Sequence, residues 1–343
     1  ISGKKRGFVP KLLRSGLKGL SLIYAAAIRS RNLAFDLGIR RVHTAPVPVI
    51  SVGNLTAGGT GKTPFTAWLA NWFHDKEIRV AILSRGYRSV SGAVNDEKMV
   101  LDQLCPHVPH LQNPDRIAAA SSACREHAAQ LLILDDGFQH RRLFRDLDIV
   151  LIDVLNPWGY GALLPRGLLR EPLQSLRRAD LVVITRADQC PDRQKQEIIE
   201  QIQDVCPEIV CVEVGFPPES LVNAEGLTAE LSSLSGKRIA AFCGIGNPDS
   251  FHKSLLDTGY DVSSFRSFSD HHHYSLQELD EIGEWGKQAG ALAIVITQKD
   301  LVKIKRTELN GLPLWAVRIG TRILKGGETL ENDLQSILNT NLR

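Results

Sequence analysis

Apolar residues in this chain gather in short dense runs, at 47–52, 79–83, 131–134, 149–152, 181–184, 238–242 and 291–296, separated by longer stretches with apolar positions every three or four residues. A run without polar alternation fits a strand buried on both faces, and the 3.6-residue stretches fit helices laid over those faces. The pattern predicts an α/β protein built on a parallel sheet flanked by helices. Most runs end in polar or glycine-rich residues: Gly53-Asn54, Ser84-Arg85-Gly86-Tyr87, Asp135-Asp136-Gly137, Thr185-Arg186-Ala187-Asp188, Gly244-Ile245-Gly246-Asn247 and Thr297-Gln298-Lys299-Asp300. Ligands of parallel sheets collect at the carboxyl ends of strands, so these segments are the candidate site. The Pro-, Gly- and Ser-bearing stretch 215–236 breaks the pattern and reads as a linker, predicting a first domain over 42–214 and a smaller α/β domain over 237–343.

Ahead of the first run, residues 11–29 project as a helix with Leu13, Leu17, Leu20, Tyr24 and Ile28 on one side and Lys11, Arg14, Lys18 and Arg29 opposite. Charge sharpens the asymmetry. The whole chain carries only +3, yet residues 1–41 hold ten Lys or Arg against Asp36 alone, a surplus of nine, and the rest carries −6. The uncharged centre, 19–28, falls well short of the roughly 20 residues a spanning helix needs. Two readings of 1–41 stand: a basic amphipathic region lying on an anionic membrane, and a helix packed on its own domain with a solvated basic face. Base-stacking aromatics are missing, which argues against nucleic acid.

With 343 residues, 43% of them hydrophobic and 23% charged, the chain has the make-up of a globular protein of about two domains. Its six cysteines, Cys105, Cys124, Cys190, Cys206, Cys211 and Cys243, include no C-x-x-C pair and read as free thiols of a reducing compartment. No secretory cleavage signal follows Ile1, so the expected location is the cytoplasmic side.

The first apolar run opens into Gly53-Asn54-Leu55-Thr56-Ala57-Gly58-Gly59-Thr60-Gly61-Lys62-Thr63-Pro64, and a helix-period stretch follows. Glycines let consecutive backbone N–H groups converge on phosphate oxygens, and the following helix adds its positive end. Lys62 is placed to reach β- and γ-phosphates, and the Thr63 hydroxyl to bind magnesium. Thr56 stands where the strict G-x-x-x-x-G-K-[ST] pattern has its first glycine. The reading is a P-loop NTPase-like domain, with Thr56, Gly58, Gly59, Thr60, Gly61, Lys62 and Thr63 around the nucleotide.

Asp135 and Asp136 end an apolar run, where P-loop enzymes keep the carboxylate of the magnesium site; a plain Asp-Gly turn is the alternative. Asp96-Glu97 is a second carboxylate pair, suited to a base or to a solvated loop. In Asp270-His271-His272-His273-Tyr274 adjacent histidines lack the i, i+4 spacing of helical metal sites, and proton transfer by one of them is preferred. The turn-rich segment 159–172 carries Arg166 and Arg170, whose guanidinium groups suit phosphate. Thr185-Arg186-Ala187-Asp188 and Thr297-Gln298-Lys299-Asp300 each suggest the [NT]-K-x-D guanine reader of a GTPase, although Asp135-Asp136-Gly137 lacks the D-x-x-G spacing of a GTPase switch.

Taken in order, the basic N-terminal helix, Ile50-Ser51-Val52-Gly53-Asn54 through Gly61-Lys62-Thr63-Pro64, Ser84-Arg85-Gly86-Tyr87, Asp135-Asp136-Gly137-Phe138-Gln139-His140, Leu169-Arg170-Glu171-Pro172, Asp270-His271-His272 and Thr297-Gln298-Lys299-Asp300 resemble the tetraacyldisaccharide 4'-kinase family over nearly the whole chain. The resemblance implies transfer of the ATP γ-phosphate to the 4'-hydroxyl of a tetraacyldisaccharide 1-phosphate, giving lipid IVA, at the cytoplasmic face of the bacterial inner membrane. It implies ATP and Mg2+ as cofactors, with Lys62 and Thr63 on the nucleotide and metal, Asp135 and Asp136 supporting the metal, and Gln139 near the phosphates. It implies Asp96 as catalytic base assisted by His271, a pairing that would bring the second domain onto the first. Arg85, Glu97, Arg116 and Arg170 are implied contacts to substrate or phosphate. The family's Gly-Asp-Glu-Pro element reads Asn95-Asp96-Glu97-Lys98 here, after a shorter link. The implied partners are the lipid disaccharide and, through the N-terminal helix, an anionic membrane surface.

Overall fold

The structure, a computed structural model, describes residues 7–86 and 96–341; Tyr87, Asn95 and the basic residues at positions 4–6 lie outside the described residues. In chain order come α1 (Phe8–Asp36), β1 (Val49–Asn54), α2 (Lys62–His74), β2 (Val80–Ser84), α3 (Asp96–Leu104), β3 (His110–Gln112), α4 (Arg116–Glu126), β4 (Leu131–Asp135), β5 (Leu147–Asp153), β6 (Leu181–Thr185), α5 (Asp192–Gln203) and β7 (Val210–Gly215). They are followed by β8 (Pro218–Val222), β9 (Thr228–Ala229), β10 (Arg238–Cys243), α6 (Pro248–Asp257), β11 (Asp261–Ser267), α7 (Leu276–Gln288), β12 (Ala293–Thr297), α8 (Gln298–Ile304), β13 (Glu308–Leu309), β14 (Leu312–Ile319), β15 (Arg322–Lys325) and α9 (Gly327–Asn341). The described residues form two compact units, one of 7–86, 105–215 and 322–341, the other of 96–104 and 216–321.

The first unit holds an eight-stranded sheet in the order β15-β7-β6-β5-β1-β4-β2-β3, parallel throughout except for β15. Every residue of β1, β2, β4 and β6 is buried, which is why these strands read as unbroken apolar runs. The chain leaves β1 for β2, returns to β4 beside β1, then crosses to β5 on β1's other side. That reversal puts the crevice at the carboxyl end of β1.

The second unit has the order β11-β10-β12-β14-β8-β9, with β13 added beside β14. Its β10, β11, β12 and β14 run parallel, and β8 and β9 close one side as an antiparallel hairpin. Phe242, Ile294, Ile296 and Leu314 pack with Leu279 and Ile282 of α7 in one core layer.

Three expectations change. The stretch 215–236 is no linker: Leu221 and Val222 of β8 are buried against β14, and the Pro/Gly signals mark a hairpin in which the Asn223 side chain accepts from the N–H groups of Glu225 and Leu227. The chain does not end in the smaller unit, because β15 pairs with β7 and α9 buries Leu330, Leu334 and Ile337 in the first unit. Residues 96–104, expected in the first domain, belong to the second unit.

Helix α1 also differs from its projection. Leu17, Tyr24 and Ile28 are partly covered and Ser21, Ala25 and Phe35 are buried, while Leu12, Leu13, Leu20 and Ile23 stand 54–69% exposed. The Leu17–Phe35 stripe faces the body of the unit, and the bare apolar row runs beside it. Among the described residues no helix is long and apolar enough to cross a membrane.

Candidate active site

The loop between β1 and α2 is fixed from several sides. Gly58 (φ 122°) and Gly61 (φ 84°) take left-handed backbone that other residues avoid, and Gly61 caps α2 so that Lys62 and Thr63 open the helix. The Thr60 side chain turns inward, accepting from Asn54 Nδ2 at 2.9 Å, while Thr185 Oγ1 donates to the Thr60 carbonyl at 2.9 Å. Arg186 donates to the Gly59 carbonyl at 3.0 Å and pairs with Asp153. Thr56 forms a bridge with Leu169, flanked by Ala57 N to Leu168 O and Arg170 N to Leu55 O, each 2.7 Å. The residue replacing the first glycine therefore ties the loop to segment 162–170.

Asp135 ends β4, nearly buried, with Thr66 Oγ1 3.4 Å from one of its oxygens. Asp136 follows with φ 53°, a strained setting that turns its carboxylate onto cations. Arg170 Nη1 donates to both of its oxygens at 2.7 and 2.8 Å, and Lys62 Nζ lies 3.5 Å away. Burial pushes the Asp136 carboxyl up, but the Lys62 and Arg170 charges and their hydrogen bonds outweigh it, leaving it below the usual carboxylate range. Gln139 Nε2 donates to the Asn54 carbonyl at 2.9 Å, and its Oε1 faces Arg170 at 3.5 Å. A methyl group on Gly53 would lie 2.5 Å from Phe138 Cβ, so the close approach of β1 and this turn requires glycine there.

Arg145 was not singled out from the sequence, yet it holds the same turn from behind, donating to the carbonyls of Phe138 at 2.8 Å and His140 at 3.0 Å. His140 is lowered to about 4 by burial and by the charges of Arg116, Arg145 and Arg142, and stays neutral near pH 7. Arg116 opens α4 nearly buried, its Nη1 on the Asn113 and Pro114 carbonyls at 3.3 and 3.4 Å. Arg85 is exposed just past β2.

In the second unit, Asp96 begins α3 buried, with His271 Nδ1 at 2.9 and 3.1 Å from its two oxygens. Burial raises the Asp96 carboxyl, but the His271 hydrogen bond and the Lys299 charge hold it below its ordinary value. The same bond raises His271 above the usual imidazole range, against burial. Lys299 Nζ reaches Glu97 at 3.3 Å. The pairing expected to bridge two domains thus lies wholly inside one unit, because α3 belongs there.

Neither GTPase-like element is arranged to read a base. Thr185 and Arg186 grip P-loop carbonyls, and Thr297 caps α8 by accepting from Asp300 N at 3.3 Å. Asp300 is fully buried, accepting from Gly244 N, Tyr274 Oη and Thr297 Oγ1 and paired with Lys303. His272 stacks on Phe268 and pairs with Glu278, and it is His271 that meets Asp96.

A parallel sheet with Gly-Lys-Thr at its switch point and a carboxylate pair on the next strand defines a P-loop nucleotide-binding enzyme. A family profile described as LpxK, tetraacyldisaccharide-1-P 4'-kinase, matches residues 13–339, and the chain belongs to that family. It is 36% identical over 337 residues to the tetraacyldisaccharide 4'-kinase of Halothermothrix orenii, with 90% of this chain and 88% of that protein covered. It is 38% identical over 333 residues to that of Syntrophus aciditrophicus, with the same shares covered. The crystal structure of LpxK from Aquifex aeolicus in complex with ATP is similar at a TM-score of 0.75 and 32% identity, over 95% of this chain and 99% of that chain.

Proposed function

We propose that this chain transfers the γ-phosphoryl group of ATP to the 4'-hydroxyl of a tetraacyldisaccharide 1-phosphate, forming lipid IVA. A P-loop serves hydrolases as well as kinases. The observation that favours an acceptor hydroxyl is the Asp96–His271 pair, a carboxylate kept ionised and oriented by an imidazole N–H. The acceptor oxygen attacks the γ-phosphorus, the bond to the β,γ-bridging oxygen breaks with its electron pair left on ADP, and the hydroxyl proton passes to Asp96.

Backbone N–H groups of the 58–63 loop and Lys62 hold the β- and γ-phosphates, with Gln139 bracing the loop's base. Asp136 keeps Lys62 and Arg170 in place and releases them to the phosphates when nucleotide enters. Magnesium fits this donor set, because Asp135 at the end of β4 and Thr63 in the first turn of α2 offer the hard oxygens it prefers. Asp135 and Thr63 would hold the ion together with phosphate oxygens of the nucleotide, and Asp136 would add a further carboxylate. When bound, the ion neutralises charge on the transferring group. Arg85, Glu97 and Arg116 are assigned to substrate or phosphate contact, and Lys299 holds Glu97 in place.

The acyl chains confine the acceptor to a bilayer, and α1 supplies a means of reaching it. Val9, Leu12, Leu13, Leu20 and Ile23 are exposed, with Lys11, Lys18 and Arg29 across the helix. Such a helix seats its apolar row in the acyl boundary while its cations draw on anionic headgroups. The enzyme therefore works as a peripheral protein on the cytoplasmic face of the bacterial inner membrane.

The test is phosphate transfer from γ-labelled ATP to detergent-dispersed tetraacyldisaccharide 1-phosphate by wild type and Lys62→Ala. Lysine-dependent labelling of the lipid is expected; nucleotide hydrolysis with unlabelled lipid would overturn the kinase reading.

A further inference from the structure

Helix α1 does more than present an apolar row to solvent. Its covered stripe grips one segment of the first unit at three successive heights. Ser21 Oγ donates to the Leu163 carbonyl at 2.9 Å and accepts from Arg166 N at 3.0 Å. One turn on, Tyr24 Oη donates to the Arg170 carbonyl at 3.0 Å. Two turns further, Arg31 Nη2 and Asn32 Nδ2 donate to the two oxygens of Glu171 at 2.7 and 2.8 Å.

Glu171 is completely buried, and Arg178 Nη2 also donates to it at 2.9 Å. Burial raises its carboxyl, but Arg178, Asn32 and Arg31 outweigh that and keep it ionised. A buried carboxylate with this many donors has one rotamer and one place. The residue before it is Arg170, whose guanidinium holds both oxygens of Asp136, and whose N–H is bonded to Leu55 of the P-loop. Arg170 is thus clamped by its own carbonyl, by its neighbour's side chain and by the P-loop, and two of those three clamps come from α1.

We propose that Glu171 and Tyr24 are positioning residues through which helix α1 sets the Arg170 guanidinium against Asp136 and the incoming phosphates. The proposal rests on the kinase reading above and deepens it: the helix assigned to the membrane also holds one of the phosphate-facing cations. Contiguity alone is not coupling, so the test is a thermodynamic cycle.

The variants Tyr24→Phe, Glu171→Gln and Arg170→Ala, and the doubles of each of the first two with Arg170→Ala, are compared with wild type in lipid phosphorylation, reading kcat, the KM for ATP and the thermal midpoint. Tyr24→Phe and Glu171→Gln are each expected to lower kcat about tenfold, a modest part of what misplacing a positioned group costs. Tyr24→Phe removes one oxygen from a half-covered site and keeps the wild-type midpoint, so it carries the test if Glu171→Gln is poorly folded. Each double is expected to be no slower than Arg170→Ala alone. Wild-type kcat in Tyr24→Phe, or deficits that multiply in the doubles, would overturn the proposal. ATP turnover without labelled lipid in wild type overturns the kinase reading instead; the same cycle is then read on ATP turnover, where multiplying deficits again count against the positioning role.

Discussion

His271 donates to Asp96 from a backbone with φ 59°, in a loop tied down by its own N–H to Gly244 O and Asp270. Its hydrogen bond is the largest influence lowering the Asp96 carboxyl, so His271→Ala should move the acid limb of kcat/KM to higher pH and slow transfer roughly 10- to 100-fold. An unmoved limb would mean that the ring does not govern the base. The raised His271 carries a stability signature as well. Its bond adds stability that is complete below about 6.5 and fades as pH rises through the folded value, so the thermal gap between wild type and His271→Ala should narrow on titrating upward from about pH 6. At Gly53 the constraint is steric. A methyl group meets backbone and Cβ of Phe138 at 2.5–2.6 Å, and Gly53→Ala should cost about 1–3 kcal/mol in a denaturant titration and weaken ATP binding with it. Lys62 and Thr63 were readable as a local pattern after β1, and Asp135 as the polar end of the apolar run that forms β4. Arg145 and the role of Arg186 were not, because the first lies outside the motif whose carbonyls it holds and the second meets a carbonyl 127 residues away.

At the level of elements, α1 shows where a helical projection stops being informative. The periodicity marks apolar positions but not which of them meet the body, and here polar contacts by Tyr24, Arg31 and Asn32 chose the docked face. The packed-helix reading holds along the Leu17–Phe35 stripe, while Leu12, Leu13, Leu20 and Ile23 are bare and form the row proposed to meet the membrane. Replacing those four by Ser should weaken binding to anionic vesicles by about a thousandfold, at roughly 1 kcal/mol of interfacial burial each, with an unchanged thermal midpoint. Equal co-sedimentation of variant and wild type would return α1 to a purely structural part. The stretch 215–236 misled for a related reason. Proline and glycine report a turn, and a hairpin at the edge of a sheet needs turn residues as much as a linker does.

Across the whole molecule, the chain leaves the first unit, builds the second and comes back, so that β15 covers the β7 edge and α9 buries Leu330, Leu334 and Ile337. Cutting the chain after Gly320 should remove about 1.5–3 kcal/mol for each of those side chains and bare a strand edge. The expected outcome is a first unit that proteases cleave rapidly while 216–320 stays protected; an intact first unit would assign α9 no structural weight. The sequence by itself determined the α/β class, the strands of both sheet centres, the phosphate loop and the Asp135–Asp136 turn, since each is written in contiguous residues: strand burial in an apolar run, loop geometry in neighbouring glycines. Its collinear motifs also carried the family resemblance. Only the tertiary structure decided that Asp96 and His271 meet within one unit, that Asp136 is held by Lys62 and Arg170, which face of α1 is free, and that residues 322–341 return to the first sheet. Those are contacts between residues distant in the chain, and they are selected by the packing of whole elements, which no local pattern of polar and apolar positions encodes.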